Sequence, residues 1–207
     1  FDEPVAVRRN DRFIIRFYSP TITFGGGIVL EAEALKHKRN HEDVIDSLRI
    51  KELGTDLEVL ELELKEESRY FPVPKILAAK LNWTNQETED QLEALVKGKK
   101  AVRLSDGSYI HKYYWNEITQ YGTELLNQFH KENPISDGME KEEFKGRTLD
   151  NFRIQESKKA DVLLNEMIKR GITVTIGSAI AAAGFNAEYS HEIKGTVSYT
   201  HLRAHET

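Results

Sequence analysis

The sequence predicts an α+β chain: a pair of β-strands at the start, then two small helical modules that each close with a hairpin of their own. Three observations predict it. Residues Arg12–Leu30, RFIIRFYSPTITFGGGIVL, are dense in β-formers and broken once by Tyr18-Ser19-Pro20. From residue 41 onward, apolar residues recur at helical spacing. Twice, at 101–110 and at 172–183, that spacing gives way to short β runs around a glycine-containing turn.

The elements follow in order. Phe13, Ile14, Ile15 and Phe17 form the first strand, and Thr21–Phe24 begins the second. Gly25-Gly26-Gly27 then removes side chains, which admits a close backbone or a kink at a barrel corner. Ile28-Val29-Leu30 ends the run. A lone hairpin is marginal in water, so these strands need partners. Residues 41–68 read as two helices split by Gly54, with Thr55 or Asp56 capping the second. Val44, Ile45 and Leu48 lie on the first stripe and Leu57, Leu60 and Leu64 on the second. Glu58, Glu61, Glu63, Glu66 and Glu67 read as a solvated acidic face.

Pro72–Leu81 is a short helix and Asn82-Trp83 a turn. Thr84-Asn85-Gln86-Glu87 is a capping box that opens a helix bearing Leu92, Leu95 and Val96. Ala101–Leu104 and Tyr109-Ile110 flank the turn Ser105-Asp106-Gly107. Helix, helix-turn-helix and hairpin, in that order, make a winged helix. Residues 113–187 repeat the order. A long helix over Trp115–Phe129 is stopped at Pro134, and Pro134–Gly138 is a connector. Met139–Phe144 reads as a short charged helix, and Ala160–Lys169 as a helix ended by Gly171. Residues 172–176 and 179–183 form a second wing about Gly177-Ser178.

The chain has 207 residues, with 39% hydrophobic and 30% charged. That suits globular domains of modest size. A net charge of −5 disfavours wholesale nucleic-acid binding, whose footprint is basic. Cysteine is absent, which excludes disulfides, thiol chemistry and cysteine metal sites. No apolar run is long enough to span a bilayer. Position one is Phe and the chain opens on a strand-like Pro4–Val7, so further domains are expected upstream.

Several motifs resemble a known family. Arg12-Phe13-Ile14-Ile15-Arg16, then Thr23-Phe24-Gly25-Gly26-Gly27-Ile28-Val29, then Lys36-His37-Lys38-Arg39 are similar to the end of the third domain of selenocysteine-specific elongation factors. Elongation factor Tu has a similar pair of closing strands. Phe129–Met139, FHKENPISDGM, resembles that family's connector into its second winged helix. The resemblance covers about Pro4 to Ser190. It implies residues 1–35 as closing strands of a truncated β-barrel, 36–112 as a linker helix with winged helix 1, and 113–190 as winged helix 2. Val197–Thr207, VSYTHLRAHET, resembles a translated transposon-end sequencing adapter and is set apart, with its His201-x-x-x-His205 spacing.

The chemistry points away from catalysis. There is no Walker-type loop and no Gly-x-Ser-x-Gly. The glycine triplet leads into a β run, not a helix, so a phosphate cradle is disfavoured. Histidines 37, 41, 111, 130 and 191 are scattered, and no metal site is expected. RNA contact is the stronger reading. Arg12 and Arg16 share one strand face, and Ser19 and Thr21 sit in the following loop, the tRNA-contact zone that the resemblance implies. A phosphate track and a rim arginine kept for solubility both fit the two arginines. Lys97, Lys99, Lys100 and Arg103 lie beside the first wing, where they suit either RNA or the end of a helix dipole. The helix over 84–97 carries Glu87, Glu89, Asp90 and Glu93, which would repel a duplex.

The resemblance implies a fragment of a GTP-dependent factor that delivers selenocysteinyl-tRNA to the ribosome at recoded UGA codons in the cytoplasm. No catalytic residue and no cofactor are expected in these residues. GTP and Mg would belong to an upstream domain, and the messenger-RNA hairpin to later winged helices. A winged-helix DNA-binding regulator and a protein-interaction scaffold are the alternatives.

Overall fold

A computed structural model describes residues 5–32, 34 and 41–185. Pro4, the Lys36–Arg39 run, His191 and the Val197–Thr207 tail lie outside the described residues. Among the described residues the architecture is α+β with three small antiparallel sheets and no closed barrel. The chain divides into two compact units, with the boundary between Tyr114 and Trp115.

The first unit opens with strands β1 (Arg12–Arg16) and β2 (Thr23–Ile28). They pair antiparallel, Phe13 opposite Gly27, Ile14 opposite Gly26 and Ile15 opposite Gly25. Arg16 then meets Thr23, so Phe24 is the extra residue of a bulge. The glycine triplet admits close approach within the hairpin itself. A Cβ on Gly26 would lie 2.6 Å from the Phe13 carbonyl oxygen, and one on Gly27 would meet the Phe13 ring at 2.8 Å. No described residue before Lys51 is buried.

Helices α1 (Glu42–Leu53) and α2 (Asp56–Glu67) meet at Gly54. Thr55 caps α2 in a reciprocal box with Glu58. After a 3-10 turn at Ser68–Tyr70 come α3 (Pro74–Leu81), α4 (Asn85–Lys97), and the wing of β3 (Ala101–Arg103) and β4 (Tyr109–His111). Thr84 caps α4 with Glu87 as the sequence predicts. Val59, Leu60, Leu64, Leu77, Leu81, Leu92, Leu95, Ala101 and Tyr109 form the core. The Ser68 hydroxyl donates to the Leu64 carbonyl and accepts from the His111 amide, and the Tyr109 amide donates to the Pro72 carbonyl. The free edge of the wing is thereby tied to the chain entering α3.

One expectation is corrected here. Glu63 is not on the solvated face of α2 but buried, 7% exposed. It falls one turn from Leu60 and beside Leu64, so the inward stripe carries it inside.

The second unit runs α5 (Lys112–Glu132, from Trp115), β5 (Met139–Glu140), α6 (Lys141–Phe152), α7 (Ser157–Lys169), β6 (Thr173–Ile176) and β7 (Ala179–Ala182). The sheet order is β5-β7-β6. Trp115, Ile118, Leu126, Met139, Phe144, Leu163, Met167 and Ile180 fill its core. Helix, strand, two helices and a hairpin give the winged-helix order again. The start of the predicted Met139–Phe144 helix is corrected: Met139 and Glu140 are a strand paired with Ile180 and Ala179. The helix begins at Lys141 and runs on to Phe152. Tertiary pairing overrides a helix-friendly local composition there.

His130 closes this unit. It is 7% exposed, its ring is stacked 3.4 Å from that of Phe185, and neither ring nitrogen has a hydrogen-bond partner among the described residues. Burial pushes its pKa down. An unfolded histidine titrates near ~6.5. Below that value the unfolded chain binds the proton the folded one refuses, so stability is full above ~6.5 and is lost as pH falls toward the depressed value. Thermal melts between pH 7.5 and 5.5 are expected to show the second unit weakening with acid. His130→Phe keeps a ring for the stack and is expected to flatten that dependence.

Candidate nucleic-acid interface

The hairpin exposes both of its faces. Along β1 the side chains alternate, with Phe13, Ile15 and Phe17 on one side and Arg12, Ile14 and Arg16 on the other. The first face is aromatic. Phe17 meets Phe24 edge-on at 5.4 Å, and Phe24 is 71% exposed. The second places Arg12 opposite Ile28 and Arg16 opposite Thr23. Both arginines are exposed, and neither makes an ion pair among the described residues. Ser19 and Thr21 are exposed in the connecting loop, one on each side of Pro20, with Tyr18 fully exposed beside them. The structure therefore brings Arg12, Arg16 and the Ser19–Thr21 loop onto one element.

The second predicted group gathers at the turn from α4 into β3. Lys97 and Lys99 are exposed. Lys100 is already engaged: its Nζ lies 2.6 Å from Glu61 Oε2, which raises its pKa. Arg103 rests over the Tyr109 ring at 5.9 Å. Glu61 also approaches His111 Nε2 at 3.6 Å. Burial nevertheless depresses the His111 pKa, against the pull of Glu61. Two of these four cations thus have partners within the protein.

The outward face of α4 is acidic as predicted. Glu87, Glu89, Asp90 and Glu93 are all exposed. In a winged helix this element is the one that enters a groove. Four carboxylates there oppose a phosphate backbone.

An unpredicted cluster lies where the hairpin meets the helices. Lys51, 7% exposed, donates to Glu31 and to Glu66, both at 3.0 Å, and lies 4.0 Å from Glu63. Lys80 sits 3.4 Å from Glu63 and 2.6 Å from Glu67. Burial opposes the charge on Lys51, but its bonds to Glu66 and Glu31 outweigh this and raise its pKa. Burial likewise pushes Glu63 up, despite Lys51 and Lys80. The signal was present in the spacing, since Lys51 continues the Val44–Leu48 stripe at i+7.

Among the described residues no His, Cys, Asp and Glu group could hold a metal ion, and no helix is long and apolar enough to cross a membrane. Each unit contains helices followed by a hairpin in the winged-helix order. Residues 123–181 match the family model described as elongation factor SelB, winged helix. That span covers less than a third of the chain and falls inside the second unit, from α5 to β7. No curated protein matches the chain.

Proposed function

We propose that the chain is a piece of a selenocysteine-specific elongation factor of the SelB type. The observation that carries this is the family-model match to 123–181, over residues that fold as a winged helix. The hairpin adds support. It is a two-stranded sheet with apolar residues exposed on both faces, the form expected of closing strands that belong to a larger barrel.

In this reading residues 1–35 end the barrel on the tRNA side, with Arg12, Arg16, Ser19 and Thr21 toward phosphate and ribose. Residues 36–112 and 113–190 are winged helices acting as a spacer. Lys97 and Lys99 are the wing cations best placed for RNA, since Lys100 and Arg103 are engaged within the protein. The acidic α4 face disfavours the DNA-regulator alternative. GTP and Mg belong to a domain outside these residues, and the messenger-RNA hairpin to further winged helices. The chain works in the cytoplasm, with selenocysteinyl-tRNA and the ribosome as partners of the whole factor.

Fluorescence anisotropy with a labelled RNA duplex shaped like a tRNA acceptor–T arm tests the reading. Binding is expected to weaken with salt. The double change Arg12→Gln, Arg16→Gln is expected to cost about tenfold in affinity and to lower the salt slope by about 1–2. A fluorescent GTP analogue is expected not to bind. Tight GTP binding by this chain, or RNA affinity indifferent to the two arginines, would overturn the proposal.

A further inference from the structure

The hairpin is held to the first helical module by charge and hydrogen bonds, with little packing. No residue from 5 to 32 is buried, so the hairpin contributes nothing to the core that begins at Val59. A cavity of about 230 Å³ remains between its base (Val7, Arg9, Leu30) and the helical side (Val59, Ala79, Leu81). Among the described residues, two polar links cross this gap. Glu31, just after β2, accepts from Lys51 Nζ at 3.0 Å, and Arg9 Nη2 donates to the Lys51 carbonyl at 3.1 Å. Both end on one residue of α1, which Glu66 anchors to α2.

We propose that Lys51 is the pivot of an electrostatic joint: with Glu31 and Arg9 engaged, hairpin and first winged helix form one body, and with them released the hairpin swings. A packed hydrophobic seam would resist such release through many contacts. Here the orientation depends on two bonds to a single side chain and its carbonyl. Anything attached to the hairpin inherits its orientation from that residue. The inference is independent of the family reading, since it concerns contacts within one unit.

The absence of cysteine makes the test direct. Spin labels at Tyr18→Cys, on the exposed loop, and Glu89→Cys, on the outer face of α4, report the distance distribution by pulsed electron resonance in the full chain. Glu31→Ala with Arg9→Met removes the acceptor and the donor, and is expected to broaden the distribution at least twofold while far-ultraviolet dichroism stays unchanged. Glu67→Gln, which alters the same cluster without touching the hairpin, is expected to leave the width as it is. An unchanged width in the Glu31/Arg9 variant would overturn the proposal, as would equal broadening by Glu67→Gln. If the double variant is poorly folded, Glu31→Ala and Arg9→Met are measured singly, each is expected to broaden the distribution by a smaller factor, and no broadening by either overturns the proposal.

Discussion

Trp115→Ala is expected to unfold the second unit while leaving the first intact. Trp115 is 1% exposed at the start of that unit's longest helix, and Arg170 lies over its ring at 5.3 Å. Truncating a buried tryptophan leaves a large void and costs ~3–5 kcal/mol. The cation–π contact is lost with it. Domain stabilities are ~5–15 kcal/mol, so the loss removes much of what a small unit has. The melting midpoint of the second unit is expected to fall by more than ~10 °C. The chain has two tryptophans, and the other, Trp83, packs against the first unit's core. In the variant, tryptophan fluorescence therefore follows the first unit alone. It is expected to melt as before, while dichroism records the early loss of helix from α5, α6 and α7. Trp115→Phe, which keeps a ring, is expected to show a much smaller shift. Equal, simultaneous losses by both probes would contradict the prediction.

Gly138→Ala is expected to detach β5 from β7. A Cβ at this position would fall on the Ile180 carbonyl oxygen and carbon, far inside van der Waals contact. Those atoms are backbone in the central strand of the sheet, and no rotamer change relieves the overlap. Overpacking of this kind costs ~1–3 kcal/mol. The pairing of Met139 with Ile180 is also at risk, and Met139 is fully buried. Hydrogen exchange at β7 is expected to accelerate at least tenfold, with a lower denaturation midpoint. Gly146→Ala supplies the comparison. A Cβ there meets nothing, and alanine favours the helix α6 within which Gly146 lies. It is expected to hold or raise stability.

The contrast between those glycines shows what was legible in the sequence. Signals confined to a few adjacent residues were readable. The Thr84–Glu87 box closes within four residues, and the Ser105-Asp106-Gly107 turn marks its own wing. The split at Gly54 and the strand pair about Pro20 are of the same kind. What depends on distant partners was not readable. Met139 is a strand only because Ile180 lies beside it. Lys100 is engaged only because Glu61, 39 residues earlier, comes within reach. Glu63 reads as solvated because charge usually is; its burial rests on Lys51, on Lys80 and, through Lys51, on the hairpin's Glu31. The candidate RNA residues came from residue type, strand spacing and the family resemblance, and the structure separates Lys100 and Arg103, which have partners, from the rest.

The glycine triplet of β2 bears on how this hairpin is indexed. Strand registers are told apart by which side chains fall inward, and three bare positions in succession offer nothing to compare. The Phe13 ring lying across Gly27, the Phe17–Phe24 contact and the bulge at Phe24 distinguish the observed alignment from one slid by a full pleat. A neighbouring strand with its own pattern of bulky residues would add to what these few contacts mark.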